Sequence, residues 1–394
     1  MKTLHIEPRD PIIARDGRPS GEGNRMRSLN WIYPSVLAGS VRTLLGKTVS
    51  PQTEARPFDD ETLLDRVKET TVTGPFPCAK DRLFFSAPRD VVIYEKDGQK
   101  KIMLLRPKRM AEGEGCDVPG DGCWPIDVTE DVKPAKSPAF WSQDLMVQWL
   151  TQDGAKDFTV PAEQSEDMLD MFAKEDRVHA SIDPKRFATK DGMLFSTEGL
   201  AISPDDLPAY KARVKQKGIA LVAKVSSPNA EMEDALSKLC SWHPLGGERR
   251  LAYFKGQAHS DAWSCPNDVV SALAGAKGVR MVLATPALFA GGWLPGWLDQ
   301  SSLEGSPPGC TVRLRLRGAC VGRWLPLSGW SLEKGRRGPK PVRRLVPDGS
   351  VYFFEVLSGD PQELRHVWLD CVSDEAQDRR DGFGASLWGV WNIS

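Results

Sequence analysis

The first 46 residues constrain this chain more than any other stretch. Leu4-His5-Ile6 reads as a short strand, and Val36 to Leu45 as a helix with Leu37, Val41, Leu44 and Leu45 on one face. Ser35 is the expected N-cap. Between strand and helix runs a loop that holds Arg9, Arg15, Gly17, Arg18, Arg25 and Arg27. Glycine lets backbone N–H groups come close to an anion, and guanidinium groups present planar forks that match phosphate. Such a loop suits a polyanion, and nothing in it is arranged as a catalytic centre.

Charge is segregated along the chain. The 394 residues carry a net charge of -1, which alone favours no partner. Residues 1–47 sum to +4 and residues 311–344 to +9, which leaves -14 for the rest. That pattern describes a basic site on an acidic body. A hydrophobic fraction of 40% is enough for a real core, and the length for two domains. No apolar run approaches a membrane span, no signal peptide is visible, and the expected location is cytoplasmic. The eight cysteines are scattered without the paired short spacings of a zinc site, so neither metal nor cofactor is expected.

Periodicity gives a coarse series of elements. Helices are expected over Asp60–Lys68, Phe140–Leu150, Glu231–Leu239, Val269–Ala274 and from Pro361 to about Asp374. Thr71-Val72-Thr73 reads as a strand that ends at Gly74-Pro75. Val91 to Leu105 forms a hairpin, and a loop-rich stretch follows over 107–137. Arg177–Ile182 alternates cleanly and pairs with a strand that begins at Met193. A second unit opens near 215, where strand, helix and strand over 219–254 precede a further helix and strand. Gly338–Val346 and Ser350–Val356 are expected to pair as a hairpin.

In that order the chain resembles the third Cmr subunits of type III-B CRISPR RNA-guided effector complexes, members of the RAMP superfamily. The resemblance is carried by Glu7-Pro8-Arg9-Asp10-Pro11, Arg15-Asp16-Gly17-Arg18-Pro19 and Pro34-Ser35-Val36-Leu37-Ala38-Gly39-Ser40-Val41-Arg42. Further on it rests on Gly74-Pro75-Phe76, Phe85-Ser86-Ala87-Pro88-Arg89-Asp90, Arg177-Val178-His179 and Leu245-Gly246-Gly247-Glu248-Arg249-Arg250. Val346–Glu355 and Gln377–Gly384 complete it. It implies an α+β fold of two ferredoxin-like (RRM-like) domains: residues 1–212, with an insertion over about 60–175, and residues 213–394, with a glycine-rich tail loop. It also implies a non-catalytic subunit that holds the 5′ repeat-derived tag of the CRISPR RNA. That subunit would bridge the large polymerase-like subunit to the first backbone RAMP subunit in antiviral defence. The family's protruding hairpin is expected at Val91–Leu105 and the loop after it.

The expected RNA contacts fall in five groups. The first is Arg15, Gly17, Arg18, Arg25, Arg27, Ser35 and Arg42. His179 stands on a polar strand face. Gly246, Gly247, Arg249 and Arg250 are either an RNA contact or a turn with solvated arginines. The basic run with Arg336, Arg337, Lys340 and Arg343 contains no aromatic, so it fits phosphate tracking better than base stacking. Arg379, Arg380, Gly382 and Gly384 resemble the RAMP glycine-rich loop. Arg313, Arg315 and Arg317 share one strand face and either line RNA or meet acidic groups. Asp90 reads as an Asx-turn carboxylate. Trp293 to Leu298 reads as an exposed loop suited to a subunit contact. No histidine stands beside the glycine-rich tail as a general base, so no catalytic residue is expected. The alternative is a RAMP-type endoribonuclease that processes precursor CRISPR RNA; a third reading is a protein–protein adaptor without RNA contact.

Overall fold

The N-terminal strand Lys2–Pro8 buries Leu4 and Ile6 and pairs antiparallel on both sides, with Ile219–Ser226 and with Leu251–Gln257. Ile219–Ser226 pairs in turn with Thr71–Ala79. The computed structural model describes residues 1–15, 25–50, 59–115, 122–152, 165–202, 218–258, 260–331, 335 and 337–393. They form two compact units that interleave along the sequence. One comprises Met1–Lys80, Met171–His259 and Pro326–Arg343; the other comprises Asp81–Asp170, Ser260–Leu325 and Arg344–Ser394. The fold is mixed α+β and dominated by sheets.

In the first unit four strands in chain order, Lys2–Pro8, Thr71–Ala79, Ile219–Ser226 and Leu251–Gln257, stand second–third–first–fourth across the sheet. Cys240–Pro244 adds an edge beyond the fourth. Helix Pro34–Val49 follows the first strand and Ala230–Lys238 the third; they pack on one another and on this sheet. Pro34–Val49 buries Leu37, Val41, Leu44 and Leu45, the face that helical spacing predicts. Its cap differs from expectation. Tyr33 is the N-cap, without a side-chain cap bond, and Pro34 takes the first turn, so Ser35 lies inside the helix.

Thr71–Ala79 runs straight through Gly74-Pro75 rather than ending there. A register shift in the partner, between Val222 and Lys224, absorbs the irregularity. The strand–helix–strand segment over 219–257 therefore completes the N-terminal sheet. The expected linear halves, 1–212 and 213–394, are crossed by this pairing.

The second unit repeats the strand order. Gly278–Leu283, Arg313–Cys320, Val351–Ser358 and Ser386–Val390 also stand second–third–first–fourth, all antiparallel. Val351–Ser358 is flanked on both sides, by Gly278–Leu283 and Arg313–Cys320, so it does not form the expected hairpin with 338–346. A 3-10 helix spans Pro361–Val367, shorter than the expected helix to Asp374. Phe140–Ser142 is a strand and the helix starts only at Gln143, where the Ser142 hydroxyl caps it by accepting from Leu145 N–H at 3.2 Å.

Asp90 is the electrostatic centre of this unit, not an Asx-turn residue. Its carboxylate is fully buried and accepts from Arg106 Nη1 at 2.8 Å, Arg280 Nη1 at 3.0 Å and Trp149 Nε1 at 3.0 Å. Both guanidinium groups lie over the Trp149 ring, at 5.3 and 4.9 Å from its centroid. Arg280 also donates to the carbonyls of Trp149 and Gln152. The group ties helix Gln143–Thr151 to strand Gly278–Leu283.

Candidate nucleic-acid interface

The described residues on the two sides of the N-terminal loop are bonded to one another, forming a neck. Leu29 N–H donates to Ala14 O at 2.7 Å, and Ala14 N–H donates to Ser28 Oγ at 2.9 Å. Ser28 is buried, and its N–H donates to Glu198, whose carboxylate also holds Lys174 at 2.6 Å. Arg15 and Arg27 are exposed on either side of this neck. Gly17 and Arg18 lie outside the described residues. Arg25 contributes backbone pairing to Ser196.

Beside the neck runs a groove of about 810 Å³, formed entirely within the first unit. One wall is the outward face of helix Pro34–Val49, with Val36, Gly39, Ser40, Thr43 and Lys47 at helical spacing. A second is the turn Gly246-Gly247-Glu248. A third is the segment Ser328–Ser331 with Lys340. Arg15, Arg42, Lys47, Lys68 and Lys340 line it against one carboxylate, Glu248. Among the described residues, no carboxylate lies within ion-pair distance of Arg15, Lys47 or Lys340. Arg15, Lys47 and Lys340 around one concave surface, without carboxylate partners among the described residues, make a candidate anion site.

The groove gathers Arg15, Arg42, Gly246, Gly247 and Lys340 from three separate groups of expected contacts. Their roles differ from expectation. Arg42 is buried and its Nη2 donates to Thr70 O at 2.8 Å, so it fixes the helix to the chain before strand Thr71–Ala79. Gly246 has φ +79°, and a Cβ there would meet Ile13 O at 2.5 Å. That glycine serves close packing of the turn on Ile13, and Gly247 N–H donates to the same carbonyl at 2.6 Å. Arg249 and Arg250 continue the turn outside the groove lining, and Ser35 also does not line it.

Sequence reasoning missed Lys47, Ser40, His243 and Trp330. Ser40 was legible on the polar face of the expected helix, whereas Lys47 lies past its expected end at Leu45. His243 lines the groove, and burial, then the Lys47 ammonium, pushes its pKa down to about 4. Trp330 joins the basic run through strand pairing: Trp330–Ser331 pairs with Gly338–Pro339, and Lys340 N–H donates to Gly329 O at 2.8 Å. The run therefore does have an aromatic neighbour, which its linear sequence lacks.

The other expected contacts lie elsewhere. Arg337 pairs with Asp59 at 2.7 Å, Arg343 is half-buried, and Arg336 lies outside the described residues. His179 stacks on Phe195 at 5.0 Å and bonds Thr197 Oγ1 through Nε2 at 2.9 Å. Both belong to the long hairpin of Lys174–Asp183 and Ala188–Leu200, which exposes Val178, Ile182, Phe187, Met193 and Leu194. Val91–Lys96 and Gln99–Leu104 pair as expected but bury Ile93, Tyr94 and Met103. The hairpin with exposed apolar faces is thus the later one.

In the second unit the glycine-rich tail is internal. Gly382 and Gly384 are buried. A Cβ on Gly384 would meet Ser373 N at 2.9 Å, and Gly382 O accepts from Thr285 Oγ1 at 2.7 Å. Arg379 Nη1 donates to the carbonyls of Ser373 and Asp374, and Arg380 is half-buried. Arg313 and Arg315 pair with Glu304, and Arg317 with Glu355. The Glu304 carboxyl is held below its usual range, by Arg315 first and Arg313 next. Nor is the loop Trp293 to Leu298 free: Tyr352 Oη donates to Trp293 O at 2.6 Å, and the Trp297 ring lies 5.5 Å from Phe354.

Fold and groove define a sheet-rich α+β protein with a concave cationic surface. The chain belongs to the CRISPR-associated protein family Cas_Cmr3, whose model matches residues 4–391. No curated protein sequence matches the chain. Among solved structures it is similar to a chain of type III-B Cmr-beta bound to cognate target RNA and AMPPnP. Identity there is 16%, over 89% of this chain and 86% of that one, with a TM-score of 0.49. It is also similar to a chain of the Csm3–Csm4 subcomplex of the type III-A interference complex, at 10% identity over 91% and 94%, with a TM-score of 0.36. Among the described residues, no helix is long and apolar enough to cross a membrane, and no group of three or more His, Cys, Asp or Glu could hold a metal ion.

Proposed function

We propose that this chain is a non-catalytic RNA-binding subunit that holds the 5′ repeat-derived tag of the CRISPR RNA. In this reading it bridges the large polymerase-like subunit to the first backbone subunit, and each unit is a ferredoxin-like domain. The second–third–first–fourth strand order in both units supports the domain reading. The observation that carries the RNA reading is the groove, where Arg15, Lys47 and Lys340 converge without carboxylate partners among the described residues. Phosphate contacts of this kind position a strand and carry little sequence information. The test is footprinting of the tag in assembled complexes that carry Lys47→Glu and Lys340→Glu. Loss of tag protection is expected; full protection would remove the groove from consideration.

One observation favours a second reading, the processing endoribonuclease. His243 lines the groove and is held neutral, free to accept a proton, although a pKa of about 4 makes it a weak base. Its near-complete burial weighs against that role. Incubation of the purified chain with repeat RNA separates the two. Specific cleavage that disappears in His243→Ala would replace the first reading with the second.

A further inference from the structure

An exposed tryptophan is unremarkable by itself, since single apolar side chains are common on surfaces. Three tryptophans here are more than half exposed: Trp242, Trp324 and Trp330. Two have partners. Trp242 lies against Tyr253 with ring centroids 5.2 Å apart, and Arg344 sits over Trp324 at 5.0 Å. Trp330 is the most exposed of the three, at 63%, and among the described residues no ring or guanidinium lies over it. Its backbone is paired with Pro339, which places the indole beside Lys340. It also stands on the rim of the groove, next to Lys340.

A π-face beside a phosphate-binding cation is the combination by which single strands are held: the cation tracks the backbone and the ring stacks a base. In a duplex the bases already stack on one another and offer no face to an external ring. Every base has such a face, so a lone indole grips an unpaired nucleotide without choosing among bases.

We infer that Trp330 is a stacking platform for an unpaired nucleobase, which makes the groove selective for single-stranded over duplex RNA. The inference rests on the reading of the groove as an RNA site. Lys340 and Lys47 hold the flanking phosphates while the base lies on the indole. Trp330 thus supplies strand-state selectivity, which the cations alone cannot give because both forms carry phosphate.

The test uses the full chain with Trp330→Ala, Trp330→Phe and Lys340→Gln variants. The probes are a short single-stranded oligouridine, the same oligonucleotide with its bases removed, and a duplex RNA of equal length. Trp330→Ala should weaken binding of the intact strand by about 5- to 150-fold, the fold-change of one base–aromatic stack. Its log–log salt slope should not change, and Trp330→Phe should recover most of the loss. The base-free strand should bind wild type and Trp330→Ala alike, and the duplex should not distinguish them. Lys340→Gln should instead lower the salt slope by about 0.7. If Lys340→Gln weakens binding while Trp330→Ala binds the intact strand as wild type does, the groove reading stands and the stacking platform is wrong. Equal losses by Trp330→Ala on intact and base-free strands would also overturn it, since the indole would then be shaping the groove. If neither variant weakens binding, the groove reading fails and the platform with it.

Discussion

Two cationic regions of the molecule differ in how their charge is matched. In the strand Arg313–Cys320, Arg313 and Arg315 converge on Glu304 and Arg317 reaches Glu355, so that this alternating arginine strand is largely neutralised within its own unit. Deeper in that unit Arg106 and Arg280 hold the buried Asp90. Around the groove of the other unit Arg15, Lys47 and Lys340 come from distant stretches, and none meets a carboxylate among the described residues. Local charge density thus misidentifies a binding site when acidic partners return from elsewhere in the chain. Buried paired cations such as Arg280 hold the fold; unpaired ones such as Arg15, Lys47 and Lys340 are available to a ligand.

The largest effect that would sharpen this contrast lies at Asp90. Asp90→Ala leaves two guanidinium groups without their buried counter-charge, a change that costs about 3–5 kcal/mol in such settings. Chemical denaturation should show that loss. A stability equal to wild type would mean that the paired arginines are not structural.

Charge reversal at the groove should act in the opposite sense. Arg15→Glu with Lys340→Glu should leave the denaturation midpoint close to wild type, because Arg15 and Lys340 make no ion pair among the described residues. Binding of single-stranded RNA should weaken, and its log–log salt slope should fall by roughly 1.4, two contacts at about 0.7 each. An unchanged slope would break the comparison on its functional side.

A smaller effect concerns acid. Folding lowers the His243 pKa from 6.5 to about 4. Below about pH 6.5 the unfolded chain takes up a proton that the folded chain refuses until near pH 4. His243 therefore supports the fold fully above that window and progressively less as pH falls through it. Between pH 6.5 and 5 the urea midpoint of wild type should drop more than that of His243→Gln. Parallel curves would mean that the imidazole is not held neutral.

The smallest effect is expected at Arg313, which shares Glu304 with Arg315 and is more than half exposed. Arg313→Gln should change neither the melting temperature nor RNA affinity measurably. A loss of affinity comparable to that of the groove variant would erase the distinction between the two regions.

Much of the first unit was legible because its helices and strands keep clean periods. Helix Pro34–Val49 and the alternation at Arg177–Ile182 came directly from spacing, and Asp60 caps Glu61–Lys68 as its position implies. Partner choice was not legible. Nothing local tells Ile219–Ser226 to pair between Lys2–Pro8 and Thr71–Ala79, or Val351–Ser358 to reject its neighbour in sequence. The glycines illustrate the same limit. Gly246 and Gly384 carry positive φ, as glycines near a binding loop would, yet a Cβ on each would strike protein backbone. The sequence records that a side chain is excluded; it does not record what excludes it. At the groove, Arg15 and Lys340 were identifiable as cations, while their convergence with Lys47 and Trp330 depends on long-range pairing.

Photo-crosslinking from 4-thiouridine in the 5′ tag of the assembled complex, with the crosslinked peptides identified by mass spectrometry, tests the central claim most directly. The groove account predicts crosslinks in the segments that contain Val36–Lys47 and Ser328–Lys340. Crosslinks confined to the unit of Arg313, Arg315 and Arg317, with none in the groove segments, would contradict it.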